Sequence, residues 1–247
     1  MYPAHAPASS AVIDSGQGAR ARIDYVDRMM PENSRPVAIA VDRGTVVLPG
    51  DLAMPPAPGG LVIFAHGSGS GRFSPRNRAV AESLRAHGFA TLLFDLLTET
   101  EAAERANVFD ITLLGQRVAD AVGWARADAE TADLPIGLFG ASTGAAAALV
   151  AAARMQGAVS AVVSRGGRPD LAGAALPGMR CATLLIVGGA DHGVIELNEA
   201  ALARLTCEKR LEIVPGATHL FEEPGTLAAV THLAAGWFSA HLRLPAG

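Results

Sequence analysis

The sequence has few cysteines, few aromatic residues and no excess of positive charge. Two of its 247 residues are cysteine, 5% are aromatic, and the formal net charge is −4. Two cysteines cannot build the disulfide framework of a small secreted domain. We expect Cys181 and Cys207 to be buried free thiols, and a bridge between the two is the alternative. A chain with this net charge lacks the basic footprint of a nucleic-acid binder, so we expect no nucleic-acid partner.

Long apolar runs are also missing. No run approaches the ~20 residues that a membrane-spanning helix needs, and residues 1–33 contain no apolar segment of a secretory signal. Their Pro, Ala, Ser and Gly content predicts a partly disordered tail over residues 1–33, with a short ordered element at residues 21–30. These absences predict no membrane partner and a cytoplasmic location.

Half of the chain is hydrophobic, which suits a single domain with a large core over residues 34–247. Short apolar runs alternate with helical patterns, and this alternation predicts an α/β fold with a doubly wound, mostly parallel sheet of about eight strands. The first two predicted strands form an antiparallel pair. The predicted strands lie at residues 37–42, 45–52, 61–65, 89–95, 136–139, 161–165, 182–187 and 210–214. The predicted helices lie at residues 75–87, 111–127, 143–155, 197–205 and 227–242, with a polar loop at residues 96–107 and a loop with one short helix at residues 166–179.

A Gly-x-Ser-x-Gly pattern at residues 140–144 is the stretch around which the candidate chemistry is organised. The predicted strand before it is buried, and the predicted helix after it is rich in Ala, so the turn between them must be tight. Glycine removes the Cβ atoms that would collide in such a turn. The turn would lift the Ser142 hydroxyl to the positive end of the helix, as in a nucleophile elbow. The alternative is an ordinary strand-to-helix turn in which Ser142 caps the helix.

A serine nucleophile needs a base to take its proton and an acid to orient that base. Asp191 follows the strand at residues 182–187, and His219 follows the last predicted strand. Both would lie with Ser142 at the carboxyl edge of the sheet, in the chain order Ser, Asp, His. We therefore expect Ser142 as nucleophile, His219 as base and Asp191 as orienting acid. Considered separately, Asp191 has the alternative of an ordinary turn or cap residue, and His219 has the alternative of an ordinary loop histidine.

A second candidate for the acid is Asp170, which follows the strand at residues 161–165. Asp191 is preferred because the short Gly-Gly-Ala-Asp loop keeps its carboxylate close to the end of the strand, at a defined position. Asp170 is assigned instead to the start of a helix, where it would act as a cap.

Acyl transfer also needs donors for a developing oxyanion. We expect one to be the backbone N–H of Thr143 and the other to be that of Ser68, with Gly69 as second choice, in the loop after residues 61–65. A phosphate-binding loop is the alternative, but the stretch lacks the Gly-Lys-Ser/Thr ending. His66, Gly69 and Arg72 are possible substrate contacts, and Arg72 with Arg76 would favour a substrate carboxylate. No metal and no organic cofactor is implied, and the expected partner is a small-molecule substrate.

These stretches resemble the α/β-hydrolase superfamily and, within it, the dienelactone hydrolase-like group. The resemblance covers about residues 37–242, and it implies the α/β-hydrolase fold and hydrolase activity. Members that act on dienelactone carry Cys at the nucleophile position, whereas this chain has Ser142, so dienelactone itself is not the expected substrate. Residues 166–181 are too few for a lid domain, which predicts an open site. The residues that carry the resemblance are residues 64–71, 74–77, 94–98 and 140–144, with Asp191 and His219.

The sequence therefore predicts a serine hydrolase that cleaves an ester, a lactone or a similar small acyl compound through an acyl-enzyme. Two alternatives stay open, an acyltransferase and a non-catalytic small-molecule binding protein on the same fold. The oligomeric state is also left open.

Overall fold

The computed structural model describes residues 33–242. The predicted N-terminal tail, apart from Asn33, and the predicted ordered element at residues 21–30 lie outside this part of the chain. Eight strands form one sheet in the order β1-β2-β4-β3-β5-β6-β7-β8. They are β1 (Ser34–Val41), β2 (Val46–Ala53), β3 (Leu61–Ala65), β4 (Ala90–Phe94), β5 (Ile136–Ala141), β6 (Val159–Arg165), β7 (Ala182–Gly188) and β8 (Lys209–Val214).

The sheet is antiparallel only where β2 pairs with β1 and with β4, and every other neighbouring pair is parallel. The predicted doubly wound, mostly parallel sheet and the predicted antiparallel opening pair are both confirmed. The α-helices are α1 (Pro75–Ala86), α2 (Glu99–Ala103), α3 (Arg105–Phe109), α4 (Ile111–Ala127), α5 (Thr143–Arg154), α6 (His192–Arg204) and α7 (Thr226–His241). Two 3₁₀ segments lie at Asp42–Gly44 and Pro169–Gly178.

Two apolar cores lie on opposite faces of the sheet, because alternate side chains of a strand point to opposite faces. In β3, Leu61 and Ile63 belong to the core that α4 and α5 cover, whereas Val62 and Phe64 belong to the core that α1 and α7 cover. A sheet covered on both faces by helices exposes its strand ends, and the carboxyl ends of the parallel strands are the edge that carries the candidate site. Among the described residues, no helix has the length and apolar character needed to cross a bilayer.

The structure differs most from the predicted elements at two places. Residues 96–107 were expected to form a polar loop, but they contain α2 and most of α3. A capping box explains α2, because the Glu101 N–H donates to Thr98 Oγ1 at 3.1 Å and the Thr98 N–H donates to the Glu101 carboxylate at 2.8 Å. Helix α6 begins at His192 rather than at residue 197, because the Asp191 carbonyl already accepts the Val194 and Ile195 N–H groups.

Candidate active site

Ser142 lies on a sharp turn between β5 and α5. Its φ is +52° and its ψ is −124°, a conformation that residues with a Cβ rarely adopt and that is typical of strained functional turns. The Ser142 side chain makes no capping hydrogen bond to α5, so the interpretation of this serine as a side-chain cap is wrong. The hydroxyl is left available for another partner.

The glycines of the turn allow α5 to approach the sheet closely. A Cβ placed on Gly144 would lie 2.2 Å from the carbonyl oxygen of Ala65, and one on Gly140 would lie 2.4 Å from the Cα of Ala145. Both distances are far inside van der Waals contact with backbone atoms that cannot move aside. The Gly-x-Ser-x-Gly spacing is thus a packing requirement of this turn.

The three residues of the predicted triad lie together at the carboxyl edge of the sheet. His219 Nδ1 lies 2.7 Å from Asp191 Oδ2, and His219 Nε2 lies 3.3 Å from Ser142 Oγ. A ring that donates its Nδ1–H to the carboxylate presents Nε2 as the acceptor for the serine proton. The His219 side chain is 37% exposed and that of Asp191 is 17% exposed, so the imidazole is open to solvent while its acid is largely covered. The arrangement is able to perform nucleophilic catalysis, and the individual roles stay predictions.

Asp170, the second candidate for the acid, does not reach His219. The Arg168 guanidinium holds it through two hydrogen bonds, Nε to Oδ1 at 2.9 Å and Nη2 to Oδ2 at 2.8 Å. It also does not cap the 3₁₀ segment in which it lies, since Arg168 occupies the capping position and no side chain caps that end. The expected capping role of Asp170 is therefore wrong.

The two predicted oxyanion donors lie next to each other, but they are not equivalent. Thr143 is the first residue of α5, where the backbone N–H has no intrahelical acceptor. The Ser68 N–H donates to the Thr143 hydroxyl at 2.9 Å, so Ser68 would serve an oxyanion only by sharing or releasing this bond. Gly67, which the sequence did not single out, lies directly against Ser142, since a Cβ there would lie 3.0 Å from the Ser142 Cβ.

His66 links the loop at residues 66–71 to the end of β4. One ring nitrogen, Nδ1, donates to the Gly67 carbonyl at 3.0 Å, and the other, Nε2, accepts the Leu96 N–H at 3.0 Å. Burial lowers the pKa of His66 below its ordinary value, which favours the neutral ring that this pattern requires. Because both nitrogens are occupied, His66 holds the loop in position and offers a substrate only its ring face.

Arg72 is held by acidic residues. Its backbone N–H donates to Asp95 Oδ1 at 2.8 Å, its guanidinium pairs with the same carboxylate, and its Nε lies 3.7 Å from an Asp51 carboxylate oxygen. The guanidinium also lies 4.1 Å from the centre of the Phe73 ring. These contacts fix the chain directly after the loop at residues 66–71. They also leave Arg72 without the free charge that a substrate carboxylate would need.

A cavity of about 330 Å³ opens beside the same loop. Its walls combine the loop backbone with apolar side chains from α2, α3, α4 and the end of β4. Gly69, a predicted substrate contact, lines this cavity, and its φ of +69° requires the conformational freedom of glycine. The lining residues are His66, Gly67, Ser68, Gly69, Ser70, Asp95, Leu96, Leu97, Thr98, Glu99, Ala102, Val108 and Leu114.

The structure adds one charged residue to the site that the sequence had not singled out. Arg165 is the last residue of β6, and its carbonyl accepts the Ser142 N–H at 3.3 Å. An arginine directly at the end of a buried strand was the available signal, but sequence alone does not show whether such a side chain turns into the site. Within residues 33–242, no group of three or more His, Cys, Asp or Glu side chains could hold a metal ion.

A family model described as the dienelactone hydrolase family matches residues 48–237. Two curated proteins of Mycobacterium tuberculosis, from strains CDC 1551 / Oshkosh and ATCC 25618 / H37Rv, are each 54% identical to this chain over 232 residues and carry the name "Putative phosphoribosyl transferase". The match covers 94% of this chain but 52% of each of those proteins. The chain therefore spans about half the length of the curated relatives it matches.

Solved structures give a consistent result. A dienelactone hydrolase from Anabaena variabilis ATCC 29413 is 53% identical, with a TM-score of 0.81 and coverage of 86% of this chain and 100% of that chain. A protein from Xanthomonas campestris, described as an α/β serine hydrolase without lid, is 21% identical, with a TM-score of 0.69 and coverage of 88% of this chain and 98% of that chain. At that identity the second likeness shows the fold alone.

Proposed function

The chain belongs to the dienelactone hydrolase family, and we propose that it is a serine hydrolase that cleaves an ester, a lactone or a similar small acyl compound. The observation that carries the proposal is the hydrogen-bonded series from Asp191 through His219 to Ser142. A non-catalytic binding protein would have no need for a serine in a strained turn whose hydroxyl faces an oriented imidazole. The family and the α/β-hydrolase fold support hydrolase activity independently of this geometry.

In the proposed reaction, the Ser142 Oγ attacks the acyl carbon while its proton passes to His219 Nε2. The new C–O bond pushes the carbonyl electrons onto oxygen, and the Thr143 N–H at the start of α5 stabilises that oxyanion. The intermediate then expels the leaving alkoxide, which takes the proton from His219. A water molecule then attacks the acyl carbon of the acyl-enzyme while His219 takes its proton. This second step releases the carboxylic acid and returns the proton to Ser142 Oγ.

The substrate proposal follows from the nucleophile and from the cavity. Ser142 stands where dienelactone-cleaving enzymes carry cysteine, so we assign general ester or lactone cleavage rather than dienelactone itself. The cavity beside the loop at residues 66–71 is of the size that accepts a small group, and its apolar wall favours an uncharged one. We assign hydrolysis rather than phosphoribosyl transfer to the described part of this chain, because the stretch it shares with the proteins of that name matches the dienelactone hydrolase family over residues 48–237.

A fluorophosphonate probe is expected to label Ser142 stoichiometrically in the folded protein. The reason is that a serine activated by a neighbouring imidazole attacks such phosphorus centres, whereas ordinary serines do not. Mass spectrometry after proteolysis would locate the adduct, and His219→Ala protein should label far more slowly. If folded protein carries no adduct at Ser142, the binding-protein alternative is favoured instead.

Activity is expected to rise with pH if His219 is the base. Only a neutral imidazole can accept the Ser142 proton, so kcat/KM should increase from about pH 5 to a plateau on the alkaline side. The measurement uses an ester that is stable over this range. His192, an exposed neighbour of Asp191, supplies the control, because His192→Gln should keep the same profile. A flat profile for the unaltered protein would argue against a histidine base.

A further inference from the structure

The segment from Arg165 to Arg168 lies directly against the nucleophile. The Ser142 N–H donates to the Arg165 carbonyl at 3.3 Å, and the Arg168 N–H donates to the Ser142 carbonyl at 3.1 Å. In the sheet, Arg165 is paired with Ala141, the residue just before the nucleophile. Two arginines are thus tied to the backbone of Ser142 on its β6 side.

The guanidinium of Arg165 is buried and has little compensation. The residue is 7% exposed, its Nη2 donates to Asn77 Oδ1 at 3.2 Å, and its Nε is buried with no hydrogen-bond partner. Among the described residues, Arg165 forms no ion pair with a carboxylate. Two nearby arginines differ in this respect, since Arg76 pairs with Glu222 at 2.9 Å and Arg168 pairs with Asp170 at 2.8 Å.

A buried cation without a counter-ion is costly. Removing a charge from water carries a free-energy penalty that only a paired anion or several hydrogen bonds offset. The single neutral amide oxygen of Asn77 offsets only a small part of this penalty. Burial first, and the positive charge of Arg76 second, lower the pKa of Arg165 to about 10, so the group still carries its charge at neutral pH. A cation retained at this cost, on a residue whose backbone carbonyl accepts the Ser142 N–H, points to an anionic ligand.

The direction of the side chain agrees with this reading. Asn77 belongs to α1, which follows the loop that leaves β3, whereas Arg165 ends β6. Strand β5 lies between β3 and β6 in the sheet. To reach Asn77, the Arg165 side chain must therefore extend across the carboxyl end of β5, which is the end that carries Ser142.

We propose that Arg165 binds an anionic oxygen group of the substrate, a carboxylate or a phosphate monoester, beside Ser142. This inference rests on the proposed function and defines its substrate class further. The cavity is lined by Leu96, Leu97 and Leu114 of the core that α4 and α5 cover. The Arg165 guanidinium reaches α1 on the opposite face of the sheet, so the two lie on different sides of the strand end that carries Ser142. The substrate is then an acyl compound with a small apolar group on one side of the scissile bond and an anion on the other.

The test measures binding in protein that carries Ser142→Ala, so it does not depend on turnover. Butyrate, inorganic phosphate and the neutral isostere butyramide are titrated calorimetrically at constant ionic strength. At least one of the two anions should bind and butyramide should not, and Arg165→Met should weaken anion binding by roughly tenfold or more. The anion that binds more tightly distinguishes a carboxylate from a phosphate monoester. Arg210→Met, at an exposed arginine on β8, should leave binding unchanged.

Equal binding of butyrate, phosphate and butyramide, or an equal loss in the Arg210→Met protein, would overturn the proposal. The comparison of anions with the neutral amide needs no substitution at Arg165, so it holds even if Arg165→Met fails to fold. Arg165→Lys keeps the charge without the planar fork and should retain part of the affinity.

A kinetic arm separates anion binding from general damage to the site. p-Nitrophenyl hemisuccinate carries a carboxylate, whereas p-nitrophenyl butyrate is neutral and of similar size. Arg165→Met should lower kcat/KM for the hemisuccinate by about tenfold more than for the butyrate. An equal loss on both esters would assign Arg165 a structural role and overturn the proposal. If neither ester is cleaved by the unaltered protein, ester hydrolysis is in doubt while the titration still decides the anion site.

Discussion

Replacing Ser142 with alanine is expected to lower kcat by about 10⁶-fold on any ester that the protein hydrolyses. Without the hydroxyl no acyl-enzyme can form, and His219 and Asp191 have no nucleophile to activate. The residual rate would come only from binding and from the oxyanion donors. The turn itself should survive, because its glycines and the backbone hydrogen bonds of Ser142 to Arg165 and Arg168 do not involve the hydroxyl.

The matched control is Ser239→Ala, the same chemical change at an exposed position of α7. Both variants are compared with the unaltered protein in kcat, KM and melting temperature. Ser239→Ala should change none of them appreciably, and Ser142→Ala should change kcat alone. Substantial ester hydrolysis by folded Ser142→Ala protein would mean that another group is the nucleophile.

Replacing Asp191 with asparagine is expected to lower kcat on the order of 10³- to 10⁴-fold. Asp191 Oδ2 lies 2.7 Å from His219 Nδ1. An amide at this position can donate to the ring, which favours the tautomer with its proton on Nε2, and it cannot stabilise the imidazolium that forms in the reaction. The shape of the side chain is unchanged, so the melting temperature should change little.

Asp170→Asn provides the matched comparison, because Asp170 also follows a strand that ends near Ser142. Its carboxylate is bound by Arg168 and makes no contact with His219. The pair is partly exposed, so its loss should cost about 1 kcal/mol of stability or less, and kcat should fall much less than for Asp191→Asn. If Asp170→Asn is the inactive variant and keeps its fold, Asp191 is not the catalytic acid.

The fold was largely readable from the sequence, because its elements depend on local patterns. Buried parallel strands are short continuous apolar runs, and the strands from β3 to β8 follow those runs closely. The exceptions are instructive. Helix α2 depends on a reciprocal hydrogen-bond pair between Thr98 and Glu101. These two residues were the only local sign of a helix start, and the polar composition of the stretch led to the prediction of a loop.

The site was readable to a lesser degree. Chain order and strand ends brought Ser142, Asp191 and His219 to one edge of the sheet, since the carboxyl ends of parallel strands share that edge. The expectations for His66, Arg72 and Ser68 did not anticipate their hydrogen bonds. His66 binds the Leu96 backbone, and the guanidinium of Arg72 pairs with the carboxylates of Asp95 and Asp51. Each partner comes from another loop or strand.

The sequence by itself determined which residues form the sheet, where the turn at Ser142 must be tight, and which edge of the sheet carries the candidate site. Apolar periodicity and glycine spacing act over a few residues, so they can be read without knowing the rest of the chain. Only the tertiary structure decided which charges are paired, and it separated Asp191, beside His219, from Asp170, held by Arg168. It also left Arg165 beside Ser142, with one neutral hydrogen-bond partner for its side chain among the described residues. Pairing requires atoms to meet within about 3 Å, and distant segments reach that precision only when the whole fold positions them.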